Sequence, residues 1–252
     1  AALIDRLAEI EELHELEMDS YSLGGAVEKL EEAAARMLGK EAAVFMPTGT
    51  LANHLALRKL CGSRLRAVVQ EQGHLYNDSG DAATRLSGIN LVPLATGRPY
   101  FTLDELRQAL DRSESGRVAT PIGAVVVESP VRRQAGQVMP YEEMAAVANL
   151  CAERDLATHL DGARLYMMAA ATGIQPRTYT ELFDTVYVSL YKYFGAPYGA
   201  ILAGTSEFIA GLYHDRRMFG GGLASAFMAA ALALKGMEGF EDRFGKAMEK
   251  AD

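Results

Sequence analysis

The sequence predicts an α/β fold of three layers, with helices on both faces of a mainly parallel sheet and one strand running antiparallel. Three observations carry that expectation. Short apolar runs rich in Val, Ile and Leu alternate with amphipathic stretches of helical length, as parallel βαβ units do. The last run follows its predecessor after a loop too short for a crossover helix, so it must turn back. With 252 residues, 49% hydrophobic and 23% charged, the chain can bury a sizeable core.

The elements follow in order. Leu3, Leu7, Ile10 and Leu13 repeat at helical spacing among acids, predicting a surface helix over 3–17 with one buried stripe. Gly24-Gly25 breaks the chain, a second helix runs over 26–38, and Gly39 stops it. A buried strand over 42–46 opens the βα rhythm. Strands over 66–70, 89–94, 123–128, 156–160 and 185–190 continue it, with helices such as 50–60, 103–110 and 141–154 between. The run over 198–203 is the antiparallel strand. Residues 1–20 read as an N-terminal helical segment, 21–235 as one large domain, and 236–252 as the start of a helix leading to a smaller C-terminal domain. The chain opens without Met and stops inside an amphipathic stretch, 239–252, as expected of a piece of a longer protein.

Composition narrows the function classes. A formal charge of -8 argues against a nucleic-acid partner, which calls for Lys and Arg gathered on one face. Cys61 and Cys151 stand far apart with neither metal-ligand spacing nor a disulfide framework, so no metal is expected and the cytoplasm is the expected compartment. No apolar run is long enough for a bilayer.

In open α/β sheets ligands bind beyond the carboxyl ends of the strands, and four such ends are chemically loaded. After the first strand, Pro47-Thr48-Gly49-Thr50-Leu51-Ala52-Asn53 opens a helix with small hydroxyl residues and a glycine; N–H groups there can hold a phosphate, or simply be capped. After the second, Glu71-Gln72-Gly73-His74 through Asp78 brings an imidazole and a carboxylate to the same edge. The strand over 156–160 runs into Asp161-Gly162-Ala163-Arg164, a carboxylate at the tip and a guanidinium one turn into the next helix. Such a carboxylate can keep a pyridine-type nitrogen protonated, or form an ion pair at a helix start. Finally Ser189-Leu190 leads into Tyr191-Lys192-Tyr193-Phe194, a lysine among aromatics whose burial would free its amine for imine formation.

Taken in order, Pro47-Thr48-Gly49-Thr50, Gly73-His74, His159-Leu160-Asp161-Gly162-Ala163-Arg164, Ser189-Leu190-Tyr191-Lys192 and Gly220-Gly221-Gly222-Leu223 resemble the threonine-aldolase and β-eliminating-lyase family of fold-type-I pyridoxal-phosphate enzymes. The resemblance implies pyridoxal 5'-phosphate as cofactor, Lys192 as its Schiff-base lysine, Asp161 as partner of the ring nitrogen and His74 as the ring stacked on its face. Thr48, Gly49, Thr50 and Asn53 would surround the phosphate, and Arg164 would lie near the phenolic oxygen or the substrate carboxylate. It further implies a homodimer or homotetramer with sites at the subunit interface, Arg216-Arg217 facing a neighbour's site, and a small amino acid as substrate.

The expected reaction is cleavage of a β-hydroxy-α-amino acid to glycine and an aldehyde, with His74, Asp78 or a water between them as base. Three departures bear on it. The loop Ser129-Pro130-Val131-Arg132-Arg133-Gln134 lacks the histidine that family members often carry, Tyr191 replaces a small hydroxyl residue, and Asp78 replaces a glutamate. β-Elimination or transamination on the same cofactor is the alternative reaction. A nicotinamide-binding or non-catalytic α/β protein is the alternative class, although no Gly-x-Gly-x-x-Gly joins a strand to a helix.

Overall fold

The computed structural model describes residues 2–248 and 250. Helix α1 (Ala2–Glu12) is shorter than its spacing predicts. Ile10 is its buried anchor, but Leu13 is 58% exposed and His14 takes a left-handed φ of 56°, so no apolar stripe continues the helix. Helix α2 (Gly25–Leu38) buries Val27, Leu30 and Leu38 and ends at Gly39, whose φ of 64° lets its N–H reach the last carbonyls. At the other end the helix Phe240–Met248 is described, while residues 249, 251 and 252 of the 236–252 segment, and residue 1, lie outside the described residues.

One sheet holds seven strands: β1 (Ala42–Met46), β2 (Arg66–Gln70), β3 (Asn90–Leu94), β4 (Ala124–Glu128), β5 (Ala157–Asp161), β6 (Thr185–Ser189) and β7 (Ala200–Gly204). Their order is β1-β7-β6-β5-β4-β2-β3. β7 pairs antiparallel with both neighbours and every other pair is parallel. Six carboxyl ends therefore share one edge of the sheet, as the sequence predicts. β3 lies at the sheet edge, where Pro93 and its missing N–H are tolerated.

Strand alternation sorts the core into two faces. Val125 and Val127 of β4 and Leu160 of β5 lie on the face of the sheet that α2 and the helices Leu103–Ser115 and Tyr141–Glu153 cover. Ala124 and Val126 point the other way, toward helix α3 (Gly49–Cys61). α3 joins β1 to β2 with β7, β6, β5 and β4 between them, so it must lie across the sheet, and it contacts β5, β6 and β7. That crossing buries Ala52 through Leu57 on every side. It also sets the second turn of α3 over the alternate residues of β5, His159 and Asp161. Among the described residues, no helix is long and apolar enough to cross a membrane.

Candidate active site

A pocket of about 490 Å³ opens along the shared carboxyl edge, walled by the segments that follow β1, β2, β4, β5 and β6 and by the loop that precedes β7. Thr48, Gly49 and Thr50 form one wall. Thr48 caps α3, its hydroxyl accepting the Leu51 N–H at 3.1 Å. The N–H groups of Gly49 and Thr50 belong to the first turn, which offers them no intrahelical acceptor. A methyl group on Gly49 would collide with the Tyr187 phenol, so the helix start approaches β6 only because that side chain is absent.

The second wall is His74, which opens the short helix His74–Asn77 after β2. Its Nδ1 is buried without a hydrogen-bond partner. A buried donor or acceptor without a partner is costly, and in a pocket it marks a place for a ligand. Asp78 also lines the pocket, but each of its oxygens holds a guanidinium, Arg132 at 3.2 Å and Arg133 at 3.1 Å. These pairs tie the loop after β4 to the loop after β2.

Glu128, which sequence reasoning does not single out, ends β4 as Asp161 ends β5, and the two stand in register on adjacent strands. It is buried, and its two carboxylate oxygens accept the backbone N–H groups of His74 and Arg132. Beyond Val68 and Val125 the β2–β4 ladder stops, and the Gln70 amide takes over by bonding both the N–H and the C=O of Glu128, at 2.6 and 2.8 Å. Burial, and then the charge of Asp161, push the Glu128 carboxyl up to about 7, against the pull of the two N–H donors. A carboxyl raised in the fold stabilises it fully below its ordinary value near 4.5 and loses that contribution as pH rises through about 7. Melting curves between pH 4.5 and 8 should therefore fall less steeply for Glu128→Gln than for the unaltered protein; parallel curves would contradict this account of the carboxyl.

Asp161 forms the floor, with Arg164 beside it at the start of the helix Leu165–Thr172. One Asp161 oxygen accepts the Ala163 N–H at 3.1 Å and the other the Asn53 amide at 2.6 Å. Asn53 is thus not where the sequence sets it: the crossing of α3 turns its side chain down onto β5 and away from the helix-start wall. Lys192 lines the pocket from the helix Leu190–Tyr193, directly after β6. It is exposed, contrary to the burial its aromatic flanks suggest. Tyr191 is exposed with it, while Tyr193 and Phe194 turn inward against Tyr166 and Phe240.

Residues 7–252 match the model of the family described as beta-eliminating lyase. The chain belongs to the beta-eliminating lyase family. Within it, the chain is 32% identical over 208 residues to the low specificity L-threonine aldolase of Saccharomyces cerevisiae, covering 82% of this chain and 53% of that protein. It is 30% identical over 217 residues to the low specificity L-threonine aldolase of Escherichia coli K12, covering 86% and 64%. Among solved structures, a putative L-allo-threonine aldolase from Listeria monocytogenes superposes with a TM-score of 0.83 at 32% identity, over 93% of this chain and 63% of that one. A putative aromatic amino acid beta-eliminating lyase/threonine aldolase from Exiguobacterium gives 0.85 at 30% identity, over 94% and 65%. The chain spans about half the length of the yeast relatives that it matches.

One residue that the family resemblance aims outward lies deep in this beta-eliminating lyase fold. Arg216 is fully buried, and its guanidinium donates to the Phe45 carbonyl at 2.6 Å and the Ser22 carbonyl at 3.2 Å. Those two internal carbonyls hold it away from any neighbour's site. Arg217 is exposed and lies over the Tyr21 ring at 4.4 Å.

Proposed function

We propose that the full protein is a pyridoxal-phosphate-dependent lyase that cleaves a β-hydroxy-α-amino acid of the threonine kind to glycine and an aldehyde. The observation that carries this is the convergence on one pocket of a lysine, a buried strand-end carboxylate, an imidazole and an open helix start. The donor set fits the cofactor. The helix start offers two free N–H groups and a hydroxyl for a phosphate, and His74, whose buried Nδ1 has no partner, lines the same pocket. Lys192 would hold the cofactor covalently, Asp161 would meet its ring nitrogen, and Thr48, Gly49 and Thr50 would hold its phosphate. When bound, the cofactor supplies an electron sink for the pair released at the α-carbon.

The remaining work falls to side chains. Arg164 offers a guanidinium to a carboxylate, and among the described residues it forms no salt bridge. A base must take the β-hydroxyl proton as the Cα–Cβ bond breaks. Of the candidates His74, Asp78 and a water between them, we assign His74, because both oxygens of Asp78 are engaged by guanidiniums. Asp78→Asn is then expected to raise KM, by loosening the Arg132 loop, with kcat nearly unchanged. A kcat loss of about 100-fold or more in steady-state assays would return the base to Asp78.

Relatives named threonine aldolases support the substrate class. Incubating the full-length protein and pyridoxal phosphate with threonine, allo-threonine and phenylserine should release glycine and the matching aldehyde; no aldehyde from any of them would overturn the reading. The histidine-free loop 129–134 favours a second reading, β-elimination, which pyruvate and ammonia from serine would reveal. A protein that stays colourless with added pyridoxal phosphate would point to a non-catalytic role.

Two buried free thiols support a cytoplasmic setting. Exposed Met18, Tyr21, Leu23 and Met218 support a homodimer or homotetramer. The packing of α1 on the helix Phe227–Met237 supports treating 1–20 as a segment added to the 21–235 domain.

A further inference from the structure

We infer that Asn53 and His159 are positioning residues for Asp161, forming with Thr185 a buried chain of hydrogen bonds that all point one way and end on its carboxylate. The inference rests on the reading of Asp161 as partner of the cofactor's ring nitrogen.

The chain runs from β6 through β5 to α3 and back to β5. The Thr185 hydroxyl lies 2.8 Å from His159 Nδ1, His159 Nε2 lies 2.9 Å from Asn53 Oδ1, and Asn53 Nδ2 lies 2.6 Å from Asp161 Oδ2. All four residues are buried, at 0%, 0%, 1% and 3% exposure in that order, so water does not substitute for any link.

Each link dictates the next. An ionised carboxylate only accepts, so Asn53 must present its NH₂ to Asp161 and its oxygen to His159. His159 must then carry its proton on Nε2. Full burial pushes this imidazole down to about 3, against a smaller opposing pull from the Thr185 backbone, so it is neutral at working pH and, with its proton on Nε2, bare at Nδ1. Nδ1 therefore accepts the Thr185 hydroxyl proton, for which the Thr158 carbonyl at 3.4 Å is the more distant alternative. His159 thus fixes which way the Asn53 amide faces. Without a donor there, the amide is free to turn its oxygen toward Asp161.

A purely structural role accounts poorly for this set. His159 sits in a central parallel strand, where a side chain facing α3 is ordinarily Val, Ile or Leu. Three polar side chains are buried there, and apolar replacements of similar shape would pack at little cost. What apolar packing lacks is the donor to Asp161, which together with the Ala163 N–H fixes one hydrogen bond on each oxygen and leaves the carboxylate facing the pocket. Glu128 on β4 and Tyr187 on β6 interact with Asp161, and His74, Asp78, Arg132, Arg164, Tyr191, Lys192 and Tyr198 are the other titratable groups that line the same pocket.

The test uses the full-length protein and reads the cofactor rather than turnover. Apo protein is titrated with pyridoxal phosphate, and the absorption of the bound cofactor is followed from pH 5 to 9, for the unaltered protein, Asn53→Leu, His159→Leu and His159→Gln. Asn53→Leu and His159→Leu should each weaken cofactor binding roughly tenfold or more, the scale of one hydrogen bond to a charged group. Both should shift the pH profile of absorption, and His159→Gln, which keeps a donor, should restore much of each. Folded Leu variants with unchanged affinity and profile would overturn the proposal. Because those variants can fail to fold, ¹⁵N NMR of histidine-labelled unaltered protein supplies a second reading: His159 should be neutral with its proton on Nε2, and a proton on Nδ1 would overturn the chain. If the unaltered protein bound no pyridoxal phosphate, the cofactor reading would fall instead, and the tautomer measurement would still decide on the chain.

Discussion

Lys192→Ala is expected to lower kcat/KM by about 1,000-fold or more while leaving the melting temperature of the cofactor-free full-length protein unchanged. Lys192 is exposed at the mouth of the pocket, on the helix that follows β6, and its amine bonds no residue that the fold depends on. Its removal therefore acts on chemistry and not on packing. Loss of a single proton-transferring group already costs about 10²–10⁴, and loss of covalent attachment adds to that. Lys192→Arg should fail almost as completely, because a guanidinium keeps its charge but is no nucleophile. The accompanying readout is retention: cofactor colour should leave both variants on gel filtration and remain with the unaltered protein. A variant that kept more than about a tenth of its activity would place the covalent step on another residue.

Arg216→Met is expected to produce the largest loss of stability of any single change near the site, about 3–5 kcal/mol. The guanidinium bonds the carbonyl of Phe45 in β1 and that of Ser22 before α2, and lies 3.9 Å from Glu31 of α2. Removing it leaves two buried carbonyls without their charged donor, each worth about 1.5–3 kcal/mol. For a chain of this size that is a fall in melting temperature on the order of 10 °C. Because β1 carries the helix start Thr48–Thr50, cofactor binding should weaken as well. Arg217→Ala, in the neighbouring exposed residue, is the control and should melt with the unaltered protein. Equal effects from the two would contradict the distinct places the structure gives them.

The strands were legible in the sequence because parallel strands buried on both faces are written as short β-branched runs; β1 and β2 have the predicted bounds. The turn-back of β7 followed from the short loop alone. Helix ends were less legible: α1 stops at Glu12 because Leu13 finds nothing to pack against, a tertiary fact. In the pocket, Thr48, His74, Arg164 and Lys192 are legible as residues following strands and Asp161 as one at a strand tip, since those positions place side chains on the ligand edge. Asn53 reads as a helix-start residue because the sequence does not show that α3 crosses β5. Glu128 carries a signal of its own, a carboxylate ending its strand just as Asp161 ends the next. Its meaning depends on β4 and β5 being neighbours. The exposure of Lys192 is not legible, because aromatic flanks say nothing of which ring turns inward.

Borohydride reduction followed by peptide mapping tests most directly whether Lys192 holds the cofactor. The full-length protein is loaded with pyridoxal phosphate, reduced, digested and sequenced by mass spectrometry. A single pyridoxyl adduct on Lys192 is the predicted result; an adduct on any other lysine, or none at all, would contradict it.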